Sequence, residues 1–325
     1  MSARAVFVLA YADNNPTTTP STHIMNPLHP GQDYRSGDTA TLRDDIVRYY
    51  NECYWDYRTS WLDSRNLAIH YGYWDDSTRS HNQALLNMNR LLADTAAISV
   101  GERVLDAGCG IGGSAIWLAE NRGAQVTGIT LSDLQVSQAR HNATQRGVAD
   151  RVDFQTADFC DTPFETASFD VIWGIESICH ALDKRDFIRE AYRLLKPGGR
   201  LVCSDGYALK RDYTDAEWHI IRTCLDGWQI PNLARPEEFE SWLSEAGFTP
   251  VAFNDITPHI LPSSRRLQQT ARLTWPMQTV MGWLGLRTAA QTGNFHTALN
   301  QYHIFADRLG CYGVFVATRP GNTPE

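Results

Sequence analysis

The chain has 325 residues, 43% hydrophobic and 20% charged, enough to bury one substantial core in one large domain or two modest ones. A formal net charge of −8 and a pI near 5.7 exclude a general polyanion-binding surface: nucleic acid or an anionic membrane would on average repel the molecule, and only a local basic pocket stays open. The 7 cysteines stand singly, with no C-x-x-C spacing and an odd total, which speaks for reduced thiols in a cytoplasmic protein and against a zinc knuckle or disulfide framework.

In sequence order, an apolar run from Ala5 to Ala12 follows a single arginine, the outline of a short signal peptide with a thin charged start. Pro16 to Gly37 is rich in Pro, Thr, Ser and Gly, so residues 1–37 read as a disordered leader, with Met25 an alternative start. No stretch approaches the roughly 20 apolar residues of a membrane span, so no stable membrane insertion is expected. From Asp38 the pattern turns helical. LRDDIVRYYNECYWDYRTSWL spaces apolar and aromatic residues by three and four, and SHNQALLNMNRLLADTAA follows the aromatic loop IHYGYWDD. Residues 38–98 are expected to form a helical lid.

The period then changes. VLDAG, QVTGIT, VDFQTA, FDVIWGI and RLVCSD are short apolar runs separated by helical stretches such as LQVSQARHNATQRG and KRDFIREAYRLLK. This alternation predicts an α/β fold over 99–256, a doubly wound parallel sheet with helices on both faces. Residues 257–305 read as a helical cap insertion, and 306–325 hold a last strand, CYGVFVAT, and a tail.

The strongest local signal is VLDAGCGIGGSAIWLAE, residues 104–120. A strand runs into Asp106, the backbone turns through Gly108, Gly110, Gly112 and Gly113, and a helix begins at once; the glycines allow a tight turn and close approach to a ligand. The pattern is GxGxGG after an acid, unlike the GxGxxG of dinucleotide sites. It resembles the first motif of class I S-adenosylmethionine (SAM) methyltransferases. That resemblance implies a Rossmann-like fold with a seven-stranded mixed sheet, and SAM as cofactor, whose ammonium and sulfonium suit an acidic neighbour. It puts Asp106 beside the methionine portion with Gly108 and Gly110 beneath it. Thr130, the Leu131 backbone and Gln135 would contact the ribose, where GITLSDLQ is similar to tocopherol and sterol methyltransferases in lacking the usual acid. Asp158 and Phe159 would hold the adenine, and Tyr49 or Tyr50 would form part of a lid over the cofactor. Asp133 reads as a charge favoured in a first helical turn.

GIESICHA, residues 174–181, follows the FDVIW strand and carries Glu176 and His180. It resembles a segment of the sterol C-methyltransferases and, more closely, of bacterial prenyl diphosphate C-methyltransferases. The latter likeness extends through YYNECYWDYR, NLAIHYGYW, DGWQIPNLA, HILPSSRRL and QYHIFADRLGCYGVF. Chemistry supplies an independent reason for the carboxylate. An alkene that attacks the methyl of SAM leaves a tertiary carbocation, which must be stabilised and then lose a proton. Glu176 at a strand end can do both, and His180, at helical i,i+4 spacing, can orient it or contact substrate oxygen. A dipole-favoured helix-start acid and a structural histidine are the plainer accounts of the same two residues.

A cation-handling pocket should be aromatic. Tyr50, Tyr54, Tyr57, Trp173, Tyr207 and Trp218 are the candidate linings, while most other rings serve packing. A diphosphate needs positive charge, for which Arg58, Arg265, Arg266 and Arg272 are candidates, with Mg2+ expected to assist and no carboxylate cluster naming its ligands. Surface solvation accounts equally for any one of these arginines. The reading is a SAM-dependent C-methyltransferase acting on the terminal alkene of geranyl or farnesyl diphosphate in terpenoid biosynthesis. A sterol-like, tocopherol-like or prenylated-indole acceptor without diphosphate, a non-catalytic SAM-binding protein, and a homo-oligomeric state stay open.

Overall fold

The computed structural model describes residues 39–60 and 66–321; the expected leader lies outside the described residues, as do 61–65 of the expected lid. The fold begins with α1 (Thr39–Glu52), α2 (Tyr54–Ser60) and α3 (His81–Thr95). α1 buries Leu42, Ile46 and Tyr49, spaced by four and three. α3 starts where the Ser80 side chain accepts the Gln83 N–H, and its inward face carries Leu85, Met88 and Leu92.

The apolar runs then form the sheet: β1 (Arg103–Ala107), α4 (Gly113–Arg122), β2 (Gln125–Thr130), α5 (Asp133–Arg146), β3 (Val152–Thr156) and β4 (Phe169–Ile175). α6 (Lys184–Leu194), β5 (Leu195–Ala208), α7 (Asp215–Gly227), α8 (Pro236–Glu245) and β6 (Val251–Asp255) follow. α9 (Thr257–Trp283), α10 (Ala289–Ala306) and β7 (Gly310–Thr318) complete the fold. The described residues make a seven-stranded sheet ordered β3-β2-β1-β4-β5-β7-β6. β1 to β5 pair in parallel, and β7 runs antiparallel to both β5 and β6, so the expected mixed α/β sheet is present. Strand order reverses between β1 and β4, which opens a crevice beyond their carboxyl ends.

Helices cover both faces of the sheet. Ile116, Leu118 and Phe154 belong to the core on one side, and Phe187, Phe239 and Phe315 to the core on the other. The interruption before the last strand consists of two helices, α9 and α10. α10 crosses α7 closely at a glycine pair: a Cβ on Gly227 would lie 2.4 Å from the Gly293 carbonyl oxygen. α2 is tied to the α9–α10 turn by the ion pair of Asp56 with buried Arg287, 2.8 Å. The N-terminal helices and the two inserted helices therefore roof the same crevice. Among the described residues no helix is long and apolar enough to cross a membrane.

Candidate active site

The crevice floor is the turn between β1 and α4. Gly108 has φ +90°, and a Cβ there would lie 2.4 Å from the Cβ of Ser177, so glycine is required. Ser177 in turn donates from Oγ to the Ala107 carbonyl at 2.6 Å, tying the end of β4 to the end of β1. At Gly110, φ +53°, an added Cβ would meet nothing within 4 Å. Beneath the turn lies Asp106, buried, with Oδ2 lacking any hydrogen-bond partner and burial pushing its carboxyl up to about 7.

A cavity rises from this turn, lined by Gly108, Gly110, Thr130, Leu131, Gln135, Asp158 and Phe159. Thr130 Oγ1 donates to Gln135 Oε1 at 2.6 Å, and Asp158 pairs with Arg43 of α1 while accepting the Cys160 N–H at 2.7 Å. One residue expected at the cofactor is placed otherwise: Tyr49 points into a second cavity, its hydroxyl bonded to Tyr57 and to Asn294. The first cavity fits SAM: an unpartnered buried carboxyl below a glycine turn, a hydroxyl–amide pair at the end of β2, and an acid with a ring after β3.

The second cavity holds about 1380 Å³ of empty space counted together with its open mouth. Tyr57, Tyr71, Tyr207, Trp228, Phe305 and Tyr312 give it an aromatic wall. Tyr50, Ile69, Glu176 and His180 line both cavities and mark where they meet.

Glu176 is held at this junction in a left-handed conformation, φ +49°, uncommon for a residue with a side chain and typical of strained functional positions. Its N–H donates to the Ser204 carbonyl at 2.9 Å. Its Oε1 accepts from the Tyr71 N–H at 2.6 Å and from the Tyr312 hydroxyl at 2.8 Å. Burial nevertheless outweighs both donors and pushes the carboxyl up to about 8. His180 sits on a 3₁₀ turn, Ile178–His180, rather than on an α-helix shared with Glu176, because the backbone leaves β4 through the left-handed residue. Its ring nitrogens lie 3.0 Å from the Tyr50 hydroxyl and 3.3 Å from the Gln229 carbonyl. The turn is clamped by buried Lys184, whose Nζ donates to the carbonyls of Cys179, Ala181 and Asn232 at 2.9, 2.9 and 3.0 Å.

Sequence reasoning did not single out Tyr71, Tyr312, Lys184, Asp205 or Arg287 for the site. Asp205, at the end of β5, lines the aromatic cavity and accepts the Cys179 N–H at 2.8 Å, with burial raising its carboxyl to about 6. Position at a carboxyl end of a parallel strand was the available signal for Asp205; Tyr71 and Tyr312 lie in NLAIHYGYW and QYHIFADRLGCYGVF, but no local pattern shows that the fold gathers them from opposite ends of the sequence.

Several expected acceptor residues are not brought to the cavity. Trp173 is fully buried within the sheet core, and Trp218 stacks on Tyr213 in a separate cluster. Tyr54 borders a minor hollow beside Tyr50 and Gln138, and exposed Arg58 lies over the Tyr54 and Trp55 rings. Arg265, Arg266 and Arg272 are exposed on the outer side of α9, because its inner side presents Leu267, Ala271 and Thr274 to the cavity. The guanidinium that does line it, Arg287, is already paired with Asp56. Among the described residues no group of three His, Cys, Asp or Glu could hold a metal by side chains alone, and a Mg2+ carried with a substrate diphosphate would not need one.

Comparison with known proteins bears on this arrangement. A family model described as a methyltransferase domain matches residues 105–203. The protein is 36% identical over 258 residues to 27-O-demethylrifamycin SV methyltransferase of Amycolatopsis mediterranei, covering 78% of its own length and 90% of that relative. It is 32% identical over 242 residues to 24-methylenesterol C-methyltransferase 2 of Oryza sativa, covering 73% and 67% respectively. Among solved structures, geranyl diphosphate C-methyltransferase of Streptomyces coelicolor, in complex with Mg2+, geranyl diphosphate and S-adenosyl-L-homocysteine, has the same fold at 22% identity and TM-score 0.65, covering 86% of the present sequence and 97% of that one.

Proposed function

The protein belongs to the class I SAM-dependent methyltransferases, and from that premise we propose that it methylates an alkene carbon of an uncharged prenyl-bearing or sterol-like acceptor, with Glu176 as the base. The observation that carries this reading is the position of Glu176: a buried, strained carboxyl at the junction of a SAM-shaped cavity and an aromatic one. Bound SAM supplies the methyl group. The alkene π pair forms the new carbon–carbon bond, the sulfonium takes the electrons of the broken carbon–sulfur bond, and the neighbouring carbon becomes cationic. Glu176, held by Tyr71 and Tyr312, then takes a proton from the adjacent carbon and the alkene re-forms. The Tyr57, Tyr71 and Trp228 rings stabilise the cation without capturing it. Likeness to a sterol C-methyltransferase supports carbon as the acceptor atom.

Among the described residues little free counter-charge is offered to the expected diphosphate. Glu176 and Asp205 line the cavity, Arg287 is engaged by Asp56, and the three α9 arginines face away. A neutral acceptor is the better electrostatic match. A second reading, O-methylation with His180 drawing the hydroxyl proton, has its own support: His180 borders both cavities and the sequence is similar to an O-methyltransferase.

Purified protein with SAM should be offered geranyl and farnesyl diphosphate, prenylated indoles and a sterol, and the product methyl located by NMR. A C-methyl on a neutral acceptor with no reaction of either diphosphate is expected. An O-methyl product establishes the second reading, and methylation of a diphosphate alone overturns the neutral-acceptor assignment.

A further inference from the structure

The outer side of α9 combines two properties that the active site does not use. Arg265, Gln269, Arg272, Pro276, Val280 and Trp283 follow one another at spacings of three and four and are all exposed. Leu273 is 83% exposed and Trp283 87%, with Met277, Val280, Leu284 and Leu286 each more than half exposed. A contiguous apolar helix face of this kind is costly in water and marks an interaction surface. Its charge is equally one-sided: from Ile256 to Ala306 the sequence has four arginines and no Asp or Glu, although the whole molecule carries −8.

We propose that the outer face of α9 is a peripheral docking surface for an anionic lipid bilayer. A helix that exposes tryptophan, leucine and methionine beside arginines can lie in the headgroup plane, its exposed apolar residues in the acyl boundary and its cations on the phosphates. The negative charge of the remaining surface turns the molecule so that this face approaches first. A second copy of this face brings three more arginines and no carboxylate on the helix, so it offers the cations no counter-charge. The inner side of the same helix lines the aromatic cavity through Leu267, Ala271 and Thr274, so docking brings that cavity next to the reservoir of any apolar acceptor.

The test is co-sedimentation of the full-length protein with vesicles of phosphatidylcholine alone or mixed with phosphatidylglycerol, without SAM or acceptor, so that its outcome is independent of the proposed reaction. Binding to the mixed vesicles that weakens at about 0.5 M salt is expected. The Arg266→Glu, Arg272→Glu double variant should bind at least about thirtyfold more weakly. Leu273→Ser with Trp283→Ser should abolish binding while retaining the wild-type melting temperature, both side chains being solvent-facing. Absence of binding to mixed vesicles at low salt overturns the proposal, as does binding unaffected by either double variant. A dimer in sedimentation velocity that Leu273→Ser with Trp283→Ser dissolves would assign the face to a second copy instead.

Discussion

Glu176, the proposed base, is buried at the expense of stability. Its carboxyl is raised from 4.5 to about 8 by burial, and a sulfonium bound beside it would draw that value down again. The ionised form is the one that accepts a proton, so kcat/KM should rise with pH along an acid limb whose midpoint lies between 4.5 and about 8. A pH–rate profile checks this, and a flat profile across that window would remove the carboxyl from the rate. The stability sign is the opposite. A raised carboxyl contributes stability that is complete below its unfolded value and is lost as pH rises through about 8. Glu176→Gln, permanently neutral, should therefore melt well above wild type at pH 9, less so at pH 6 and close to it at pH 4.5; an equal gap at all three would contradict the burial argument. Glu176 itself was legible in the sequence, since an acid at the end of an apolar strand stands out locally. Its partners were not. Tyr312 reaches it because β7 pairs antiparallel with β5, Gly206 opposite Tyr312, a register no local pattern encodes.

At the scale of elements, the glycine turn, the strands and the helices between them were readable because each is specified by a short stretch: apolar runs bounded by turns, and positive-φ glycines where a larger residue would collide. The phase of α9 was harder. Its three arginines were read as a group, whereas the helix spends its inner side on Leu267, Ala271 and Thr274 and turns the cations outward. The 3₁₀ turn bearing His180 was likewise invisible, since the spacing of Glu176 and His180 equally suits an α-helix. Lys184 holds that turn by three hydrogen bonds from one buried ammonium. Lys184→Met should cost roughly 3 kcal/mol of stability through lost charge-assisted bonds and, by loosening the turn, lower kcat while leaving SAM affinity near wild type. Chemical denaturation and titration calorimetry test the two halves. Unchanged kcat in a destabilised variant would confine Lys184 to stability.

Over the whole molecule, the doubly wound sheet sets two cavities end to end, and the N-terminal helices and α9–α10 roof them. The ion pair of Asp56 with Arg287 joins the two parts of that roof and leaves the cavity beneath it aromatic and acidic. Shielding of this kind suits a reaction whose intermediate water would destroy. The central claim is that Glu176 removes the proton from the methylated acceptor. The most direct measurement compares turnover and SAM affinity of wild type and Glu176→Gln on the neutral acceptor that wild type methylates. A fall in kcat of about 10² to 10⁴ with SAM binding unchanged is expected. A Glu176→Gln enzyme that turns over at the wild-type rate would contradict it.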